Sequence, residues 1–332
     1  MRRRLVGILI VGLCGCVPGL AARRRTPSTS KPSAPLAWAY VHQSSVKLLK
    51  KPGDPKAVTG KLRRGQLAAI LGTKLKNGTA WARLMAANPA NLEELSGWVD
   101  SRLIEQFPSD RFPPDRKLLD SMGGAYLEDF VATHAVIVRF LVPSAQGQPL
   151  LLGYVGSRAL PQVRLQIFQP ANGQWVAGPF LDFPYASMGT ALQQMAVRDF
   201  SGTAGECLVA TEAEPAGLGA SLKTMTIRQV TPQGFRTVWQ APLEQTNFTY
   251  YPSRINVLAP AAKNIGAPGT QTHGQVTFKM QGGGMVPVWS GQVGFYVVGR
   301  SAPVQTLKIT KVCSWNGARF EPLESPGQPA AR

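Results

Sequence analysis

Acidic residues are scarce in this chain. Eighteen Asp and Glu stand against 36 Lys and Arg in 332 residues, a formal net charge of +18. Such an excess favours anionic partners, whether nucleic acid, acidic lipid headgroups or acidic wall polymers, and its sign does not choose among them. Histidine is scarcer still. His42, His134 and His273 are scattered, and the four cysteines form neither a Cys-x-x-Cys pair nor a Cys/His cluster, so no zinc ligand set is in view. Gly-x-Ser-x-Gly, His-Glu-x-x-His and the phosphate-binding loop are absent as well. Gly282-Gly283-Gly284 has no Lys-Ser/Thr behind it and reads as a flexible loop. Cys207 sits in Gly205-Glu206-Cys207-Leu208, the context of a core strand and not of a nucleophile. Nothing places Asp199 and Glu206 across a cleft as a carboxylate pair. The expectation is a protein without catalytic residues, metal or cofactor.

Long hydrophobic runs are also missing. The apolar stretch from Leu5 to Leu13, behind Met1-Arg2-Arg3-Arg4, is about half of the ~20 residues needed to span a bilayer. A charged start followed by a short apolar core is the layout of an export signal. Leu13-Cys14-Gly15-Cys16 then resembles the bacterial lipobox, and the resemblance implies cleavage and lipidation at Cys16; ordinary cleavage near Ala21 or Ala22 is the alternative. Residues 1–22 are thus expected to be signal. Residues 23–35, Pro/Ser-rich and basic, are expected to form a disordered tether able to lie against anionic headgroups. The expected address is the periplasmic face of a bacterial membrane, as an outer-membrane lipoprotein, with a periplasmic or secreted protein as the alternative. The expected partners are a cell-wall polymer or anionic envelope surface, the membrane itself through the lipid anchor, and other envelope proteins, but no nucleic acid. Cys207 and Cys313 remain as the thiols of the mature body, either joined in one disulfide or both buried and free.

Glycine and proline, 34 and 27 residues, are plentiful and predict a turn-rich all-β chain. Residues 36–107 hold short alternating segments separated by Pro52-Gly53-Asp54-Pro55, Arg63-Arg64-Gly65 and Lys76-Asn77-Gly78; Asn-Gly is a strong hairpin signal. Five strands in such a span predict a small closed barrel. Val46/Leu48/Pro52, Leu62-Arg63-Arg64-Gly65, Trp81 and Gly97-Trp98-Val99 resemble the bacterial SH3-like domain, with a departure at Leu49-Lys50 and a longer loop over 86–95. That resemblance implies a non-catalytic binding or spacer module, often directed at cell-wall peptides. The segment carries eleven Lys/Arg against five Asp/Glu. Lys50, Lys51, Lys61, Arg63 and Arg64 fall near two neighbouring turns and are expected to gather into one patch for an anionic ligand. Trp81 and Trp98 are expected in the barrel core.

Pro108 to Pro114 reads as a domain boundary within a connector spanning 108–124, with a brief helix near Lys117–Met122. Residues 125–324 read as a larger antiparallel β domain, propeller-like or sandwich-like, and 325–332 as a disordered tail. The runs Ala135–Val142 and Leu150–Val155 suit strands buried on both faces. Three strand–turn–aromatic units, ending at Asn172-Gly173-Gln-Trp175, Gly234-Phe235 and Asn316-Gly317-Ala-Arg-Phe320, resemble propeller blades. Asp199-Phe-Ser-Gly-Thr203 resembles the calcium turn of integrin-type repeats. With Ser201 and Thr203 replacing acidic ligands, a plain turn is expected. Residues 245–275 read as a long surface excursion.

Overall fold

The computed structural model describes residues 35–89, 91–121, 135–143, 149–157, 163–183, 192–217, 220–248, 269–296 and 301–323. The signal, the lipobox with Cys16, nearly all of the tether, His134 and the tail lie outside the described residues. The fold is all-β: among the described residues there are nineteen strands and one α-helix, and the strands form two sheets.

The first sheet begins as a curled half-barrel. Its strands are β1 (Ala37–Val41), β2 (Ser45–Leu49), β3 (Val58–Arg63), β4 (Gln66–Lys76), β5 (Thr79–Ala87), β6 (Glu94–Asp100) and β7 (Ile104–Pro108). Asn77 and Gly78 both take positive φ in the β4–β5 hairpin, as the Asn-Gly pair predicts. Val46, Leu48, Leu62, Ile70, Leu84 and Val99 point inward and make the core of the curl. Each fully buried aliphatic side chain here contributes about 1.5–3 kcal/mol relative to exposure.

The first sheet does not end where this module does. The sheet continues through β8 (Ala135–Pro143), β9 (Pro149–Ser157), β10 (Val163–Ala171) and β11 (Gln174–Phe183), in the order β11-β10-β9-β8-β4-β5-β6-β2-β3, with β1 joining β4 to β7. Gln66 and Leu67 of β4 pair with Phe140 and Arg139 of β8. The connector is packed, too: Phe112 and, on the helix α1 (Asp115–Ser121), Leu118 and Leu119 share a core with Trp38, Tyr40, Leu151 and Phe168. Arg139, buried on the same side of β8, bonds Pro113 O at 2.9 Å, pairs with Asp115 and lies 4.5 Å over the Trp38 ring. It fastens the helix to the sheet.

The second sheet is an eight-stranded antiparallel meander. It runs β12 (Leu192–Phe200), β13 (Gly205–Gly217), β14 (Ala220–Thr231), β15 (Gly234–Phe248), β16 (Gly269–Gln281), β17 (Gly284–Tyr296), β18 (Gln305–Trp315) and β19 (Phe320–Pro322). The three strand–turn–aromatic units are the hairpins β10–β11, β14–β15 and β18–β19. The two ends of the expected excursion over 245–275 are strand, because β15 and β16 pair from Glu244↔His273 to Phe248↔Gly269; residues 249–268 lie outside the described set. Gly282-Gly283 is a tight turn and not a flexible loop. The Phe200–Ala204 turn docks on it, with Met285 N donating to Ser201 O and Thr203 Oγ1 to Met285 O. A Cβ at Gly202 would come within 2.4 Å of Gly283 O, so only glycine lets the two turns meet. That contact curls the meander around a core of Phe200, Ile227, Trp239, Val286, Trp289 and Phe320.

The two sheets pack face to face through β8. Val138, Phe140 and Val142 meet Met195, Val197, Leu208 and Ala210 of the second sheet, whereas Ile137 and Leu141 face α1 and the half-barrel. A strand covered on both faces has no polar side to alternate with, hence the apolar run in the sequence, interrupted by Arg139 alone.

Candidate functional site

In β5 and β6, Ala82, Leu84 and Val99 occupy the inward positions, and the two-residue period sends their neighbours outward. Trp81 and Trp98 are among those neighbours. Both are half-buried on the outer face and absent from the barrel core, contrary to the expectation from sequence. The register makes this face continuous. Lys74 stands opposite Trp81, Arg83 opposite Trp98, Trp98 opposite Leu49, and Lys47 opposite Lys61. Lys47, Lys61, Lys74 and Arg83 are exposed. Cations and indoles therefore share one face across five strands, with Asp100 opposite Trp81, an arrangement suited to a chain that carries both negative charge and flat apolar surfaces.

At the open end of the β2–β3 hairpin this face runs into a cleft of about 590 Å³ between the half-barrel and the second sheet. Lys61, Arg63, Arg64 and Arg198 line it, with Asp199 as the one carboxylate of the lining. The Arg64-Gly65 turn builds its floor. Gly65 N donates to Val41 O at 2.9 Å, Leu141 N to Gly65 O at 2.8 Å and Val197 N to Arg64 O at 3.2 Å, so one turn ties β1, β8 and β12 together. Gly65 holds φ +81° there, a left-handed conformation natural to glycine. Arg64 is committed: its Nη2 lies 2.6 Å from Glu206 Oε1. Burial pulls its pKa down, but the hydrogen bond and charge of Glu206 outweigh that and leave it raised.

Arg198 differs. Its guanidinium stacks 4.2 Å over the Phe278 ring, and Nη1 approaches Met285 Sδ at 3.9 Å. Burial lowers its pKa with no carboxylate offsetting it. Nothing in the sequence singles this residue out, whereas its neighbour Asp199 stands where a calcium ligand would. A lone Arg in an alternating strand carries no local signal that a distant hairpin will face it.

The five cations expected in one patch divide. Lys61, Arg63 and Arg64 reach the cleft, whereas Lys50 and Lys51 occupy the turn at the other end of the hairpin, roughly 15 Å away for five extended residues. Strand direction separates what sequence proximity joined. Cys207 and Cys313 are both buried free thiols in one core. Burial pushes the Cys207 thiol up to about 12 and raises that of Cys313. Asp199-Phe-Ser-Gly-Thr203 is the docking turn described above, and among the described residues no three His, Cys, Asp or Glu side chains gather as a metal site. No family model, curated protein or solved structure matches the chain.

Proposed function

We propose that the chain is a non-catalytic binding protein of a bacterial envelope, exported, anchored through Cys16, and engaging anionic wall polymer by the outer face of its first module. The observation that carries this reading is the set of cross-strand pairs Lys61–Lys47, Trp98–Arg83 and Trp81–Lys74 on one face. Indoles give stacking surfaces for sugar or peptide, and the ammonium and guanidinium groups give charge, so one flat face can follow a polymer without enclosing a reacting bond. The buried thiols support the absence of a cysteine nucleophile, because a raised pKa keeps sulfur protonated where catalysis needs thiolate.

The test is sedimentation of the purified chain with isolated wall sacculi, before and after acid extraction of their anionic polymers. The reading expects retention by intact sacculi, loss on extraction, and loss in Trp81→Ala/Trp98→Ala. Release of soluble muropeptides without retention contradicts it and favours a hydrolase.

A second reading, assembly of other envelope proteins by strand addition, has one observation behind it. From Gln305 to Thr310, β18 is paired to β17 on one side, while β19 pairs only with Cys313–Trp315. Lys308 on that stretch is a residue that discourages edge pairing, so this reading ranks second.

A further inference from the structure

The cleft beside the outer face is lined by residues of a different chemistry from the face itself. Among its lining residues Arg64 is neutralised by Glu206, while Lys61, Arg63 and Arg198 have no carboxylate partner among the described residues. Arg198 is the informative one. It stands opposite Cys207 in the β12–β13 register, so its side chain starts from the inner face of the second sheet and is drawn half out of water over Phe278. A cation partly desolvated without a counter-charge costs free energy, and an anion entering the cleft recovers it. The planar fork of guanidinium suits two oxygens of one phosphate.

The opposite lip of the cleft is apolar. Met280 is 66% exposed, and it pairs across the β16–β17 turn with Met285. Both methionines line the cleft with Arg198. An exposed, unbranched thioether re-packs around flexible chains, which makes this lip a seat for hydrocarbon more than for sugar. A volume of about 590 Å³ lies within the range of small-ligand sites.

We propose that this cleft binds an amphiphilic phosphate, with the phosphate on Arg198, Lys61 and Arg63 and an acyl chain against Met280 and Met285. The site goes beyond the polymer-binding face; Lys61 belongs to both, but the two are separable through the indoles, since neither Trp81 nor Trp98 lines the cleft.

Calorimetric titration of the full chain with monomeric dihexanoyl phosphatidic acid, glycerol 3-phosphate and dihexanoyl phosphatidylcholine tests it. Phosphatidic acid is expected to bind about ten-fold or more tightly than either of the others, because only it satisfies both lips. Arg198→Gln is expected to weaken phosphatidic acid by about ten-fold or more, the size of a lost charge-assisted pair. Met280→Gln, at an exposed position, is expected to remove the advantage of the chain while leaving glycerol 3-phosphate unchanged. Trp81→Ala is expected to leave phosphatidic acid binding intact, so failure of the cleft and failure of the outer face are distinguishable. Phosphatidylcholine vesicles doped with phosphatidic acid separate the sources: Arg198-dependent retention assigns a membrane lipid, and binding of the monomer alone assigns a free one. Equal binding of glycerol 3-phosphate and phosphatidic acid overturns the proposal. So does an Arg198→Gln variant of unchanged melting temperature and unchanged affinity, or the absence of any binding by wild type.

Discussion

A methyl group placed on Gly65 would lie 2.4 Å from Cγ2 of Val197. Gly65 belongs to the turn before β4 and Val197 to the middle of β12, so the half-barrel and the second sheet meet here as a glycine against a branched side chain. Gly65→Ala therefore incurs both a positive-φ penalty and a clash, and is expected to cost about 2–4 kcal/mol in denaturant unfolding. Val197→Ala in the same chain removes the 2.4 Å contact of Cγ2 but keeps Cβ, itself 2.7 Å away, so it relieves the clash in part and leaves the backbone strain. The double variant should recover about 1 kcal/mol or more relative to additivity, and additive losses would show that the two residues do not meet.

The ion pair beside that contact is tested separately. Arg64 Nε and Glu206 Oε2 are buried without further partners, so the single 2.6 Å contact is all that offsets their desolvation. Arg64→Ala and Glu206→Gln are each expected to destabilise by about 1–3 kcal/mol. The double variant should lose less than the sum, as measured by a double-mutant cycle in urea.

Arg139 shows the opposite balance. It is 5% exposed, its Nε has no partner, and burial lowers its pKa despite Asp115. Desolvation dominates, so Arg139→Met, which keeps the packing on Trp38, is expected to stay within about 1 kcal/mol of wild type. Arg139→Ala leaves a cavity against Trp38 and is expected to lose about 2–4 kcal/mol. Equal losses in the two would assign the stability to the charge.

The thiols predict an alkaline limit. Burial raises Cys207 to about 12 from 9.0, and a raised folded pKa contributes stability that is complete below the unfolded value and is lost as pH rises through the folded one. Tyr40, raised to about 12 first by burial and then by the charge of Glu206, acts in the same direction. Unfolding free energy is expected to fall between about pH 9 and 12, with a shallower fall in Cys207→Ala. At pH 8 neither Cys207 nor Cys313 should react with Ellman's reagent until the chain is unfolded, and reduction should leave the mobility of the chain unchanged. A mobility shift on reduction that Cys313→Ser abolishes would instead show a disulfide.

Local chemistry was legible in the sequence, and long-range register was not. Asn77-Gly78, the three strand–turn–aromatic hairpins and the doubly buried run of β8 follow from turn preferences and hydrophobic period. The continuation of one sheet past residue 108 depends on Gln66 and Leu67 finding Phe140 and Arg139, which no local pattern encodes. Proline made 108–114 look like a linker, yet Phe112 fills a core position. At the site, Lys61, Arg63 and Arg64 were visible as a charge cluster. Trp81 and Trp98 were visible too but were assigned to the wrong face. A tryptophan in an alternating strand suits either side, and the inward places were taken by Ala82, Leu84 and Val99.

Binding of an anionic polymer by the cations of the half-barrel's outer face is tested most directly by the salt dependence of affinity for poly(glycerol phosphate), for wild type and for Lys47→Gln/Lys74→Gln/Arg83→Gln, which leaves the cleft residue Lys61 in place. The log–log slope is expected to become shallower in the triple variant by about 2, from about 0.7 for each phosphate no longer neutralised, with the melting temperature unchanged. An identical slope and affinity in the two proteins would contradict it.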